Sequence, residues 1–477
     1  IRKAFPRAYA DDTALVVEDL FRDLPTIQRI FTVFARVSGL NLNIPKTVII
    51  PVGSITPRQV SLGLRVTNDV WRDVLCDDKG IYLGFAVGPG KGTLSWAKPI
   101  AKALSRVEAW PWTTLGLHYA ATVYNTYVLS TLAFVAQLEP PPPEAIAAER
   151  RALARAAAGP GGWFVPQDLF LLQQEFGLPT RFRSLQQTAF AAQMRVSIWE
   201  DGVNGGLRLP ARAKALRNFM NLQAPNIGRR YGPWRTWYEG SFLFNIQASL
   251  QEFCKFRYTQ GRLLRTVTQS LPRPWPREVM LRAKRLTQRT AYDLLLRRMS
   301  GHGLKRMIEN IHRWEIPGPQ QVVADRILTR LRDLRALVPP RVQAAVLSTL
   351  WNRWCTERRF QRYGRPCRFG CGHPAQEDAI EHYLECPVVL ESAARRLRLN
   401  FGDTPPRQAL LLANIPQGVD NTRSWLARCA ILLYAVYRTH NSARQEGQLT
   451  PQQAWQAIKQ AVYEGTRGHA VATRFVD

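Results

Sequence analysis

Ala8-Tyr9-Ala10-Asp11-Asp12-Thr13-Ala14-Leu15-Val16-Val17 sets two adjacent carboxylates between apolar flanks. Asp favours turns and the β-branched run after it favours strand, so the stretch predicts a hairpin tip followed by a strand. Adjacent acids at a tight turn repel each other and are not buried cheaply without a cation. Two readings of the pair stand on the residues alone. One is a solvated turn. The other is a site for a hard divalent cation such as Mg²⁺, which takes one or two protein carboxylates and keeps positions open for phosphate. In two-metal phosphoryl transfer such ions activate an attacking 3′-hydroxyl and stabilise the leaving pyrophosphate.

Downstream, residues 24–37 place Ile27, Ile30, Phe31 and Phe34 at helical spacing, and Gly39 supplies the usual helix stop. Residues 42–52 are rich in strand formers but hold Pro45, which predicts an edge strand. Residues 81–87 predict another short strand before a turn at Gly88-Pro89-Gly90. Past residue 94 the pattern becomes helical, with periodic segments at 97–109, 118–136 and 144–158 and stiff breaks at 140–143 and 159–162. Residues 422–439 and 451–463 predict two helices in the tail.

The chain has 477 residues, enough for several domains, and 46% hydrophobic residues, enough for real cores. Lys and Arg number 65 against 36 Asp and Glu, a formal net charge of +29. An enzyme acting on neutral metabolites needs no such field; the excess points to a polyanion, nucleic acid before acidic membrane. The charge is uneven: residues 205–366 hold 32 Lys and Arg and 9 Asp and Glu, a balance of +23. Arg dominates there, and its planar fork suits phosphate oxygens and stacks on bases. Trp234, Trp237, Tyr238, Phe253, Phe256, Tyr258 and Trp275 are interleaved, each fitting either helix core or a stacking face for an unpaired base. The longest apolar stretches, such as 431–437, fall far short of the roughly 20 residues of a membrane span, so no membrane partner is expected. Seven cysteines with only three clustered make no disulfide framework and predict a reducing compartment, nucleus or cytoplasm, rather than secretion.

Cys367, Cys371, His382 and Cys386 follow a C-x3-C-x10-H-x3-C spacing. Three thiolates and an imidazole form the donor set that Zn²⁺ prefers. Gly370 and Gly372 permit a tight turn at the first pair. Glu377-Asp378 reads as a helix start, which sets His382 and Cys386 on one helical face, and Pro387 disfavours continuation of that helix. His373 and Cys355 are spare candidates for one ligand. Arg358, Arg359, Arg362 and Arg365 precede the cluster, so the expected finger both staples a small module and presents basic residues to RNA or DNA.

These segments together resemble the reverse transcriptase of non-LTR (LINE-type) retrotransposons. Tyr9-Ala10-Asp11-Asp12 matches that family's catalytic motif C, and Ser38-Gly39-Leu40-Asn41-Leu42-Asn43-Ile44-Pro45-Lys46-Thr47 resembles the GLxLNxxKT stretch that follows it. Tyr82-Leu83-Gly84 resembles the YLG of the primer-grip hairpin, and the helical stretch 96–143, ending in prolines, resembles the thumb. Residues 377–387 resemble the family's CCHC finger, although the first ligand pair is one residue wider than the commoner form. The resemblance implies an RNA-directed DNA polymerase using Mg²⁺, with an RNA template and target DNA as partners. It implies that Asp11 is a magnesium ligand and that Asp12 stands beside it in a less direct role. Lys46 is either close to incoming phosphates as a general acid or a plain surface lysine. The Asp of motif A has no match, and ten residues precede Asp11, so the chain is expected to begin inside a longer protein and not to polymerise alone. The tail's acids (Glu391, Asp403, Asp420, Glu446, Glu464, Asp477) are scattered and form no nuclease pattern.

The expected fold is therefore α/β at the N-terminus, a partial palm of antiparallel hairpins plus a helix, and predominantly α thereafter. The expected divisions are a partial palm at 1–93, a helical thumb at 94–204, a basic helical connector at 205–350, a zinc knuckle at 351–390 and a helical tail at 391–477. The other reading is a non-enzymatic, zinc-dependent RNA- or DNA-binding protein that keeps the palm remnant as scaffold. A membrane-surface protein comes third.

Overall fold

Among the described residues six short strands pair two by two, all of them before residue 90, and helices make up most of the rest: 58% of the structure is helical and 7% strand. The N-terminal antiparallel hairpins and the helical remainder match the coarse expectation. The computed structural model describes residues 4–52, 55–68, 70–202, 288–289, 292–293, 295–296, 301–372 and 376–476. The seven aromatics between Trp234 and Trp275, half of the basic segment and His373 lie outside the described residues. The chain divides into two compact units. One comprises Ile1–Lys102, Thr131–Ile146 and Thr188–Arg289, the other Ala103–Ser130, Ala147–Gln187 and Thr290–Asp477.

In the first unit, β1 (Ala4–Tyr9) and β2 (Asp12–Val17) pair antiparallel with Tyr9 opposite Asp12. The turn is therefore Ala10-Asp11, with Ala10 in the left-handed region at φ 52°. The Leu20–Ser38 helix follows. The Asp19 side chain caps its start by accepting from the Arg22 amide, and Gly39 at φ 73° closes it by donating to the Ala35 carbonyl. Leu24 and Ile27 of this helix bury against Val60, Leu64, Trp71 and Val74, with Leu15 and Val17 of β2 packed on the cluster. Val60 and Leu64 belong to a helix, Pro57–Thr67, that hydrophobic periodicity did not bring out; its start signals are a Thr56/Gln59 capping box and Pro57 in the first turn. Gly63 lets the Phe21 ring pack close there, since a Cβ would displace that ring.

Two strand expectations are revised. In place of one edge strand over 42–52 there is a 3-10 turn, Ile44–Lys46, and then β3 (Val48–Ile49), which pairs parallel with β4 (Leu75–Cys76). The Asn43 side chain accepts from the Lys46 amide, a local bond that competes with extended backbone, and Pro45 has no amide to give a ladder. In place of one strand over 81–87 there is a hairpin, β5 (Gly80–Tyr82) and β6 (Phe85–Val87). Leu83 at φ 49° and Gly84 at φ 83° make the two-residue turn whose left-handed geometry suits a twisted hairpin. This hairpin is fastened by a polar chain: the Ala86 amide donates to Ser95 Oγ (2.8 Å), which donates to Glu139 Oε1 (2.9 Å), where Lys91 Nζ also donates (3.0 Å).

The helical expectation over 118–136 is met by Trp112–Val123, kinked at Gly116 (φ 66°), running on to Leu129–Ala136, but one π turn, Tyr124–Val128, interrupts it. The π turn aims Asn125, whose amide donates to the Arg181 carbonyl (2.8 Å) and whose oxygen accepts from the Arg183 amide (2.9 Å). Asp168, buried, accepts from His302 Nε2 (2.8 Å), Arg306 Nε (3.3 Å) and Trp351 Nε1 (3.3 Å), which joins the short Pro166–Phe170 helix to His302–His312. The long Thr422–Glu446 helix is the centre of the C-terminal half. It packs on Pro340–Leu350 and on Pro451–Thr466, and most of its residues from Trp425 to Val436 are buried. Both expected tail helices exist, each longer than its apolar pattern. No helix among the described residues is long and apolar enough to cross a membrane.

Glu149 of the Pro143–Ala156 helix is 5% exposed and accepts from the Leu185 amide and the Tyr124 hydroxyl. Burial pushes its carboxyl up to about 7, and those two donors only partly oppose it. A raised carboxyl stabilises the fold fully below its unfolded value near 4.5 and loses that contribution as pH rises through about 7. Glu149→Gln is therefore expected to raise stability at pH 8 by about 2 kcal/mol and to change little at pH 4. Urea midpoints of the two proteins at both pH values check this.

Candidate metal centre

The segment after Arg365 turns back on itself. Pro366 bridges antiparallel to Glu377, the Cys367 amide donates to the Gln376 carbonyl (3.1 Å), and the Asp378 amide donates to the Arg365 carbonyl (2.8 Å). Cys367 opens a tight turn: Gly370 N–H donates to its carbonyl (3.2 Å) and Phe369 N–H to its sulfur (3.4 Å). Gly370 and Gly372 both sit at positive φ, 62° and 72°, where a side chain would be strained. Gly370 also presses on the Leu449 carbonyl, leaving no space for a Cβ.

The other ligand pair is arranged differently from expectation. His382 lies in a single helical turn, Ile380–Tyr383, and Cys386 is the N-cap of the next helix, Pro387–Leu397. The two are not on one continuous helical face. Pro387 opens the new helix, because a proline at the first helical position gives up an amide that would be unpaired there anyway.

The four donor atoms nevertheless converge to within 4.8 Å of one another. Cys367 Sγ is 4.0 Å from Cys386 Sγ, and Cys371 Sγ is 3.5 Å from His382 Nε2. A tetrahedral ion with Zn–S bonds of about 2.3 Å needs sulfur–sulfur edges of about 3.8 Å, so the spacing fits. Cys367, His382 and Cys386 are buried. The hydrogen bond with Cys386, and then burial, push the Cys367 thiol up to about 12. Two buried thiols this close do not both ionise unless a cation sits between them. The cluster could hold a metal ion, and its donor set is compatible with zinc. Cys355 does not join it.

Behind the ligands stands a buried carboxylate that sequence reading treated only as a helix start. Asp378, 0% exposed, accepts from Tyr383 Oη (2.7 Å), His440 Nε2 (3.0 Å), Arg368 Nε (3.0 Å) and the Glu357 amide (3.1 Å). Burial raises its carboxyl, but His440 and the other donors outweigh burial and hold it at about 2. Burial pushes His440 down, opposed by its bond to Asp378, and Nε2 carries the proton of that bond because a carboxylate can only accept. Arg368 and Tyr383 each adjoin a ligand, and His440 belongs to the Thr422–Glu446 helix. The knuckle is further seated on the turn after that helix: Leu449 N–H donates to the Arg368 carbonyl (2.8 Å) and Gln448 Nε2 to the Cys367 carbonyl (3.1 Å).

The other sequence candidates are placed as follows. Asp11 and Asp12 are exposed at the β1–β2 turn and belong to no cluster of three or more ligands among the described residues. Tyr82 of the second hairpin reaches the first, its hydroxyl donating to the Arg7 carbonyl (3.4 Å). Lys46 is exposed on its 3-10 turn. Arg358, Arg362 and Arg365 are exposed, whereas Arg359 is half-buried and donates to the Gly161 carbonyl (3.0 Å). No protein family, no curated protein and no solved structure matches this chain.

Titration with Co²⁺ is expected to give thiolate-to-metal charge-transfer absorption that saturates at one equivalent, and none in Cys371→Ser/Cys386→Ser. Asp378→Ala leaves the buried Tyr383 hydroxyl and His440 Nε2 without their shared acceptor and is expected to cost about 3 kcal/mol, read from urea unfolding of the metal-loaded protein.

Proposed function

We propose that this chain is part of a non-LTR (LINE-type) retrotransposon reverse transcriptase, holding the motif C side of the palm, a thumb, a basic connector, a zinc knuckle and a helical tail. In this reading it grips an RNA template and target DNA. The observation that carries it is the Tyr9-Ala10-Asp11-Asp12 box at a hairpin tip, with the Tyr82-Leu83-Gly84 hairpin fastened beside it through Arg7. Asp11 would ligate Mg²⁺ and orient phosphate, with Asp12 beside it and Lys46 as a general acid toward the incoming phosphates. Because two-metal transfer draws carboxylates from more than one motif, and no segment here matches motif A, the chain by itself binds nucleic acid without extending a primer. Cys367, Cys371, His382 and Cys386 hold zinc, which supplies folding energy to a knuckle with little core of its own.

A second reading, a non-enzymatic zinc-dependent RNA- or DNA-binding protein with the palm as scaffold, is favoured by one observation. The sole cluster of three or more ligating side chains among the described residues is the Cys/His one, far in sequence from the exposed Asp11 and Asp12.

Purified protein is expected to carry one zinc per chain, measured by elemental analysis. Its affinity for single-stranded RNA is expected to fall more than tenfold between 50 and 200 mM salt, as counterion release demands. A flat salt response would remove the nucleic-acid reading. Primer extension with Mg²⁺ by this chain, lost in Asp11→Asn, would show that the catalytic site is complete. Loss of RNA binding in that same variant would show instead that the acidic turn only supports the fold.

A further inference from the structure

We infer that residues 358–365 form a platform on which unpaired bases stack, with Phe360 and Tyr363 as the stacking rings and Arg358, Arg362 and Arg365 on the neighbouring phosphates. This rests on the nucleic-acid reading above and names the form of nucleic acid and the residues that take it.

The first observation is exposure. Tyr363 is 69% and Phe360 45% exposed, three residues apart. A lone exposed aromatic needs no explanation, but two on one loop among three exposed arginines are placed against the usual burial preference. Arg358 and Arg365 make no side-chain hydrogen bond or ion pair among the described residues. Arg362, with its side chain 70% exposed, has a loose 3.5 Å pairing with Glu357, whose other oxygen is held by Arg368 (2.6 Å).

The second observation is rigidity. Both ends of the loop close on one residue: Arg358 N–H donates to the Asp378 carbonyl (3.2 Å), and Asp378 N–H donates to the Arg365 carbonyl (2.8 Å). Inside it, Gln361 N–H donates to the Arg358 carbonyl (3.0 Å), Arg362 N–H to the Glu357 carbonyl (2.9 Å) and Gly364 N–H to Glu377 Oε1 (3.0 Å). Gln361 and Gly364 take left-handed backbone, φ 60° and 72°, which turns the chain twice within four residues. A loop pinned in this way presents its rings with little ordering cost on binding.

The third is charge and shape. Ring faces flanked by guanidinium groups match a single strand, whose bases offer free π faces beside a phosphate chain. In a duplex those faces are already stacked, and the loop's one helical turn, the three-residue 3-10 segment Arg358–Phe360, is too short to read a major groove.

The test uses the full chain, a fluorescent oligouridylate 12-mer and a 12-base-pair duplex. Phe360→Ala/Tyr363→Ala is expected to weaken oligouridylate binding about tenfold or more while duplex affinity stays within about twofold. Phe360→Tyr/Tyr363→Phe should keep wild-type affinity for both. In the wild-type protein, 4-thiouridine crosslinks are expected on Phe360 or Tyr363, a readout independent of how the alanine variant folds. The platform is overturned by crosslinks confined to other segments, by an alanine variant that binds oligouridylate normally, by equal loss on single strand and duplex, or by binding seen on anionic vesicles alone. Wild-type protein that binds neither oligonucleotide overturns the nucleic-acid reading itself; intact binding without aromatic dependence overturns only the platform.

Discussion

A buried anion needs donors on every side, and Asp378 has found them. Its carboxylate takes protons from a phenol, an imidazole, a guanidinium and a backbone amide. Its own amide and carbonyl bond to residues 365 and 358. Few side chains are bonded through all of their polar atoms at once, and the cost of leaving any of these groups unpaired in the interior explains why the arrangement has one geometry. The knuckle hairpin, the arginine loop and the Thr422–Glu446 helix are all tied to this one residue. The rings of Trp354, Tyr383 and Phe369 then fill the space around it.

The same unit carries two other buried carboxylates with different partners. Asp168 is matched by a histidine, an arginine and an indole. Glu149 has only a hydroxyl and one amide, and it accordingly holds its proton near neutrality. The contrast between Glu149 and Asp378 is set by the count and charge of donors rather than by depth, since both residues are almost fully buried. The metal ligands follow a related rule: thiols that repel as anions become compatible when a cation is supplied.

Much of this was legible wherever a few neighbouring residues decide the outcome. The acidic hairpin tip, the Gly39 stop and the convergence of Cys367, Cys371, His382 and Cys386 all follow from local spacing. Local reading failed where a short-range competitor or a distant partner decides. Leu83 gives no hint that it will take a left-handed turn, and the Asn43 side chain diverts a stretch that is otherwise rich in strand formers. Pro387 was read as a stop, yet it starts a helix, because proline serves both purposes. Arg359 looks like its basic neighbours in the sequence but is spent on the Gly161 carbonyl, a contact 198 residues away along the chain. Asp378 and His440 are 62 positions apart, and no periodicity links them.

The seating of the knuckle on the Gly447–Thr450 turn has a consequence for how the chain is made. All four candidate ligands have been synthesised by the time Cys386 leaves the ribosome, so an ion could be captured early. The donors that complete the surrounding shell come much later: His440 follows Asp378 by 62 residues and Gln448 follows Cys367 by 81. In between, Asp378 already has its Tyr383, Arg368 and Glu357 donors but lacks His440, and the knuckle keeps an open flank until the last two long helices emerge. The C-terminal helical pair therefore acts as the final step of assembly for a site whose ligands it does not contain.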